Sequence, residues 1–104
     1  MKLYIIKEKK GIYAEGEYDV NTKVMTVYKG AKLSKDIVHS ANFRGAKSIE
    51  KHRNGIVKNH VLTENISFKS SSTAANFVTG RSSNGFDVWK NKDGISLKEL
   101  TKHE

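Results

Sequence analysis

The sequence predicts a single α+β domain with a mainly antiparallel sheet and two to four short helices packed on one side of it. Short segments rich in apolar and aromatic residues, typical of strands, occupy the first 30 residues. Helical spacing of apolar residues and glycine-containing turn signals follow. A length of 104 residues with 37% hydrophobic content is enough for one core. Within the domain, residues 1–104, we expect N-terminal strands over 1–30, a helical middle over 31–55 and a motif-bearing part over 56–104.

The N-terminal strands are predicted from apolar segments separated by polar ones. Residues 3–6 predict a buried strand, and residues 12–18 and 24–29 predict a pair joined through Asn21-Thr22. Acidic residues alternate along the second segment, which indicates a face exposed to solvent.

The middle of the chain contains one clear helix and one ambiguous segment. Residues 46–53 predict a helix that ends at an Asn-Gly pair. Residues 31–43 have apolar residues at helical spacing, although serines and an asparagine weaken the pattern, and we favour a helix there. The apolar pairs 56–57 and 61–62 predict short strands or extended contacts with the core.

A serine-rich segment is expected to start the next helix, with Ser71 or Ser72 as its cap. The apolar face of this helix carries Ala74, Phe77 and Val78. Gly80 is expected to end the helix in the left-handed conformation, and Arg81 suits the negative end of the helix dipole.

Turn signals divide the remainder of the chain. Asn84-Gly85 predicts a tight turn, and residues 86–90 predict a short strand with Trp89 facing away from its apolar neighbours. An Asp-Gly pair predicts a second turn. Residues 96–99 fit a capping box, so a last short helix is expected, with its two leucines on the inner side.

The order of these features resembles a known family. The matching positions are Phe68, Ser70, Ser72, Ala74-Ala75, Gly80-Arg81-Ser82, Asn84-Gly85, Trp89-Lys90, Asp93-Gly94, Leu97 and Leu100. They resemble a small bacterial domain of uncharacterised function that is often found C-terminal to GIY-YIG endonuclease domains and is similar to the restriction-enzyme adenine-methylase-associated domain. Residues 14–33 also look like the two-stranded opening of that family, which ends in a step such as Lys29-Gly30-Ala31. The chain departs from the family in lacking a proline before the helix and in having Phe86 where tryptophan is usual.

The composition favours an anionic partner. Nineteen lysines and arginines oppose eleven acidic residues, which gives a net charge of +8 and a pI near 9.7. Without cysteine, no disulfide or thiolate metal site is possible. No apolar run approaches the ~18 residues of a membrane span or forms a secretory signal, so we expect a cytoplasmic protein that does not contact membranes.

The cations have a pattern that suggests contacts with phosphates. Arg44, Lys47 and Lys51 fall at i, i+3 and i+7 and so line one stripe. Further cations and polar residues surround the predicted turn at Asn84, where an aromatic side chain, Phe86 or Trp89, would offer a stacking surface. We predict nucleic-acid contacts from Arg44, Lys47, Lys51, Arg81, Ser82, Asn84, Lys90 and Lys92. The structural alternatives are a solvated helix face, a turn that needs its asparagine, and a tryptophan that belongs to the core.

No catalytic set is recognised, and neither a metal nor a cofactor is expected. The four histidines lack the spacing of a metal site, and no phosphate-binding loop or serine elbow is present. Gly11-Ile12-Tyr13 and Tyr28-Lys29-Gly30 superficially resemble the paired strands of GIY-YIG nucleases, but the helix that should follow lacks its arginine. In those nucleases the arginine contacts the scissile phosphate and a later glutamate holds a divalent metal. Arg44 and Glu50 fill these two roles only if the pattern is shifted. We interpret both tyrosines as cross-strand sheet residues.

These observations favour a non-catalytic accessory module that binds nucleic acid, with DNA expected, in a restriction, modification or defence system. A separately encoded nuclease or methyltransferase is a possible second partner. The alternatives are a protein-interaction module that recruits or inhibits a nucleic-acid enzyme, and a degenerate nuclease of the GIY-YIG kind. The oligomeric state is left open.

Overall fold

The computed structural model of the protein describes residues 1–39 and 45–102. The described residues form six strands: β1 Lys2–Lys7, β2 Ile12–Tyr18, β3 Met25–Val27, β4 Val57–Lys58, β5 Val61–Leu62 and β6 Ile66–Phe68. They also form four α-helices: α1 Ala46–Arg53, α2 Ser71–Thr79, α3 Gly85–Val88 and α4 Leu97–Thr101. A single 3-10 turn, Glu8–Lys10, links the first two strands. The α+β prediction is confirmed.

The main sheet is antiparallel throughout, in the order β1-β2-β3-β6, and β4 and β5 form a separate hairpin. One face of the sheet is buried, because α2 packs against β2, β3 and β6. The other face carries partly or fully exposed residues, among them Ile6 and its cross-strand partner Tyr13. The prediction of a buried strand over residues 3–6 is therefore only half right. β1 is an edge strand whose residues alternate between the core and solvent, and Ile6 is 54% exposed.

Helix α2 lies at the centre of the core, and its apolar face is buried as predicted. Its cap is Ser70, whose Oγ accepts a hydrogen bond from the Thr73 N–H at 3.0 Å. The prediction of Ser71 or Ser72 was therefore wrong. Ser71 is buried in the first turn, and the Ser72 hydroxyl accepts a hydrogen bond from the Gly85 N–H instead.

The predicted helix over residues 31–43 is absent from its described part, residues 31–39; residues 40–43 lie outside the described residues. The backbone of this segment makes its hydrogen bonds to other elements. The Ser34 N–H donates to the Val78 carbonyl at 2.9 Å, and the Val38 N–H donates to the Gly80 carbonyl at 2.7 Å. The segment therefore satisfies carbonyls at the end of α2 that the helix itself leaves unpaired. Gly80 closes the helix with φ 74°, as predicted.

The predicted strand over residues 86–90 is also wrong, because most of it forms the single-turn helix α3. Asn84 caps this helix, since its Oδ1 accepts the Phe86 N–H at 3.0 Å. Gly85 packs so tightly against the start of α2 that a Cβ on it would clash with the backbone of Ser71. The helical turn directs Trp89 into the core, where it is fully buried and its Nε1 donates to the Ser71 carbonyl at 3.0 Å.

The C-terminal elements follow the prediction. The Asp-Gly pair lies in a turn with Gly94 at φ 80°, and α4 begins after Ser96, whose Oγ accepts the Glu99 N–H at 3.3 Å. Leu97 is buried and Leu100 packs against the core. In the part of the chain that the structure describes, no helix is both long and apolar enough to cross a bilayer.

Candidate nucleic-acid interface

Helix α1 presents two lysines to solvent. Ala46 and Ile49 are buried on one side, whereas Lys47 and Lys51 are four residues apart and exposed. The structure therefore supports the predicted stripe at these two positions. The third predicted member, Arg44, lies outside the described residues.

A groove of about 960 Å³ runs between α1, residues 31–39, which we call the extended segment, and the β4–β5 hairpin. We call it the α1 groove. Its cationic lining residues are Lys35, Lys47, Lys51 and Arg53. Its one acidic lining residue, Glu50, pairs with His39 at 2.9 Å from Nε2 to Oε1. Since three lysines face one already paired carboxylate, the groove is electropositive.

The turn of the β4–β5 hairpin forms the far wall of the α1 groove. Asn59 and His60 both have positive φ, 53° and 66°, which is the geometry of a two-residue hairpin turn that matches strand twist. The His60 carbonyl accepts the Leu33 N–H at 2.8 Å, which fixes the hairpin to the extended segment. The wall is therefore held in place by backbone contacts.

Arg53 has a structural role at the floor of the α1 groove. Its Nε and Nη2 donate to the Phe77 carbonyl at 3.1 and 2.6 Å, and its Nη1 donates to the Ser34 carbonyl at 3.0 Å. The guanidinium also lies 5.7 Å from the centre of the Phe77 ring. Burial lowers the pKa of this guanidinium below its ordinary value, but the carbonyls at the negative end of α2 favour its charge. Arg53 thus occupies the place at the helix end that sequence reasoning gave to Arg81.

The loop that contains Arg81 to Asn84 lines neither the α1 groove nor the cleft described next. Arg81 and Ser82 are exposed, so both are accessible to a ligand. Ser83 is bonded to Asn76 Oδ1 at 2.8 Å and to Thr79 Oγ1 at 2.9 Å, which holds the loop against α2. The side-chain oxygen of Asn84 is engaged in capping α3.

A second cleft, of about 470 Å³, lies at the outer edge of β1. We call it the β1-edge cleft. Lys90 and Lys92 both line it, with Tyr4, Tyr13 and Asp87 among the other lining residues. The backbone of Lys90 exchanges two hydrogen bonds with Tyr4, at 2.7 and 3.0 Å, so its exposed side chain starts from a fixed position.

The eight predicted contact residues therefore do not gather at one place. Two line the α1 groove, two line the β1-edge cleft, three belong to the loop, and one is outside the described residues. The two clefts share no lining residue. A ligand that contacts all of these positions must extend over several elements.

All the lining residues of both clefts lie in the part of the chain that a family model matches. This model, described as a domain of unknown function (DUF4357), matches residues 4–101. The chain belongs to this family. No curated protein and no solved structure matches the chain.

Most cations of this DUF4357 domain have no acidic partner. Among the lysines and arginines in residues 1–39 and 45–102, only Lys2 and Lys102 lie within 4.0 Å of a carboxylate. Both pairs are exposed, so they contribute little to stability. Apart from Arg53, whose guanidinium is bonded to backbone carbonyls, the other described lysines and arginines have no carboxylate partner to offset their charge.

The described residues of the DUF4357 domain contain no group of three or more histidine, aspartate or glutamate side chains that could hold a metal ion. The backbones of the two tyrosines singled out from the sequence bond to different neighbours. Tyr13 exchanges hydrogen bonds with Lys32, and the Tyr28 N–H donates to Glu15. Glu50, the alternative metal-binding candidate, is exposed and bonded to His39.

Sequence reasoning missed several lining residues of the DUF4357 domain. Lys35 was assigned to a helix that does not form, so its place in the α1 groove was not expected. Tyr13 and Asp87 in the β1-edge cleft were likewise missed. A usable signal existed for Tyr13, because strict alternation along β2 places it opposite the buried side of Ile12 and Ala14.

Proposed function

We propose that this DUF4357 domain is a non-catalytic module that binds nucleic acid, with DNA as the expected partner. The observation that carries the proposal is the surplus of unpaired cations around the α1 groove in a chain of net charge +8. Phosphate contacts by lysine and arginine supply most of the affinity of non-specific nucleic-acid binding. Such a surface is therefore sufficient for binding without base recognition.

In this proposal Lys47 and Lys51 contact successive phosphates of one strand. Four residues along an α-helix advance about 6 Å, a distance that flexible lysine side chains adapt to neighbouring phosphates. Lys35 would add a contact from the extended segment on the other side of the groove. Arg81, Ser82 and the amide nitrogen of Asn84 would contact the ligand from the loop.

The resemblance to domains that follow GIY-YIG endonucleases, and to the domain associated with adenine methylases of restriction systems, supports a biological setting for this proposal. We propose that the protein acts in the cytoplasm as an accessory of a restriction, modification or defence system. A separately encoded nuclease or methyltransferase is its proposed enzyme partner. The catalytic step would then belong to that enzyme.

Duplex binding should depend strongly on salt. If about four phosphates are contacted, the logarithm of the association constant should fall with the logarithm of salt concentration with a slope of about −3.6. Anisotropy titrations of a labelled duplex at several salt concentrations measure this slope. Absence of binding even at low salt would contradict the proposed function.

Lys47 and Lys51 should together account for about half of that slope. The double variant Lys47→Gln with Lys51→Gln removes two cations and should reduce the magnitude of the slope by about 1.8. A matched control is Lys9→Gln with Lys10→Gln, which removes the same charge from an exposed turn that lines neither cleft. Equal effects of the two double variants would show that net charge alone, and not the groove, determines binding.

The domain should not cut DNA. Supercoiled plasmid incubated with the protein and Mg²⁺ or Mn²⁺ should remain supercoiled, because the proposed module carries no catalytic step. Agarose electrophoresis detects a single nick per plasmid. Metal-dependent nicking that Glu50→Gln abolishes would contradict the non-catalytic assignment.

A further inference from the structure

The β1-edge cleft exposes unpaired backbone groups of the main sheet. Tyr4 directs its N–H and C=O away from β2, because both are bonded to Lys90. In an antiparallel pair the direction of these groups alternates, so Ile6 points its N–H and C=O to the same outer edge. No group of the described chain bonds to either of them. The cleft therefore offers one donor and one acceptor side by side.

An aromatic surface lies beside these groups. Tyr13 is the cross-strand partner of Ile6 on the outer face of the sheet and is 44% exposed. Exposed aromatic rings stack on nucleobases with little preference for sequence, because every base has a π-face. The Tyr13 ring thus gives the cleft a flat apolar wall next to its hydrogen-bonding edge.

Cations complete the cleft. Lys7, Lys90 and Lys92 line it against one carboxylate, that of Asp87. None of the three lysines has an acidic partner among the described residues. The ligand that fits therefore combines an anionic group with a flat part that carries hydrogen-bonding groups.

We propose that the β1-edge cleft holds one unpaired nucleotide of a nucleic-acid strand. Its base stacks on Tyr13, the hydrogen-bonding edge of the base meets the Ile6 backbone, and its phosphate is bound by Lys90 and Lys92. The volume of about 470 Å³ lies in the range of roughly 300–1,000 Å³ typical of small-ligand sites. This inference rests on the proposed function, and it specifies that the recognised feature is an unstacked base at an end, gap or tail.

A peptide that adds a strand to β1 is a poorer fit. Strand addition requires a row of free main-chain groups along an edge. Lys90 already covers the edge at Tyr4, which leaves only the groups of Ile6 inside the cleft. A nucleobase needs no more than this one pair.

The test compares a blunt DNA duplex with the same duplex carrying a short single-stranded tail, by fluorescence anisotropy at fixed salt. We expect the tailed duplex to bind about tenfold more tightly, the effect of stacking one base on an aromatic ring. Tyr13→Ala should remove this gain and leave the affinity for the blunt duplex unchanged, whereas Tyr13→Phe should keep it. Tyr28→Ala is the matched control, because Tyr28 is on the same sheet face but lines neither cleft. Thermal melting of each variant verifies that it is folded.

The outcomes separate this inference from the proposed function. Binding of the blunt duplex with no preference for the tail, or equal effects of Tyr13→Ala and Tyr28→Ala, overturns the inference and leaves the proposed function standing. Absence of binding to any DNA overturns both. Thymidine monophosphate that binds as tightly as the tail overturns the assignment to a strand, and a polyglutamate peptide that alone binds through Tyr13 overturns the assignment to a nucleotide.

Discussion

Replacing Gly80 with alanine is expected to lower the free energy of unfolding by about 3 kcal/mol. Two effects combine at this position. Gly80 has φ 74°, a conformation that disfavours any residue with a Cβ. A Cβ there would also approach the Asp36 backbone carbonyl and the Ser34 hydroxyl closer than 3.0 Å. Because the Asp36 contact is with backbone, relief requires the extended segment to move away from the end of α2.

Gly94→Ala provides the matched control for Gly80→Ala. Gly94 has φ 80°, yet no atom lies within 4 Å of the position that its Cβ would occupy. We expect this variant to lose only about 1 kcal/mol, the strain of the left-handed conformation alone. Urea unfolding followed by circular dichroism measures both losses. Equal losses of unfolding free energy in the two variants would contradict the close packing of Gly80 against the extended segment.

Replacing Trp89 with alanine is expected to lower the free energy of unfolding by about 3–5 kcal/mol, a large part of the stability of a domain of this size. The side chain is completely buried, and its removal leaves a cavity between α2 and the sheet edge. It also leaves the Ser71 carbonyl without the indole N–H that now bonds to it at 3.0 Å. The free energy of unfolding of Trp89→Phe should lie between those of the native protein and Trp89→Ala, because phenylalanine keeps an aromatic ring but not the N–H donor.

Phe86→Ala is the matched control for Trp89→Ala, because it removes a nearby aromatic ring that is not buried. Phe86 precedes Trp89 by three residues but is 39% exposed, so its loss should change stability by less than about 0.5 kcal/mol. Urea unfolding compares the variants.

In the native protein, fluorescence of the single tryptophan should be insensitive to an aqueous quencher and to added DNA, because Trp89 is completely buried. A strong change in this fluorescence on adding DNA would contradict the assignment of Trp89 to the core and would favour its predicted role as a stacking surface.

Local sequence patterns predicted the elements whose apolar residues recur with a regular period. The bounds of α1 and β2 were predicted to the residue, because their apolar residues recur at helical or alternating spacing and are the residues that each element buries on one face. Residues 31–39 could not be predicted in this way. Their apolar spacing suits a helix, but their hydrogen bonds go to α2, to β2 and to the β4–β5 hairpin. Such partners become neighbours only after the chain has folded.

The segment after Asn84 shows a second kind of ambiguity. An Asn-Gly pair suits a hairpin turn, but asparagine is equally a preferred cap for a helix. The buried contact between Gly85 and the first turn of α2 decides between them, and it joins residues that are 14 positions apart. Local propensity contains no information on that contact.

The candidate interface was predicted where it depends on one helix and missed where it depends on several elements. Helical spacing placed Lys47 and Lys51 together. Lys35 and His60 join them in the α1 groove only because the extended segment and the hairpin are bonded to each other. The role of Arg53 was equally hidden, since its carbonyl partners belong to other parts of the chain.

The junction of three elements at Arg53 sets how much of the protein the proposed ligand of the α1 groove would have to order. One guanidinium ties α1 to the end of α2 and to the extended segment, so the two walls that carry Lys47 and Lys35 are aligned during folding. In the proposed function, binding would therefore order little backbone, and mainly lysine side chains would be immobilised. A groove whose walls are aligned in this way would favour a regular polyanion over one that must change shape to fit the protein.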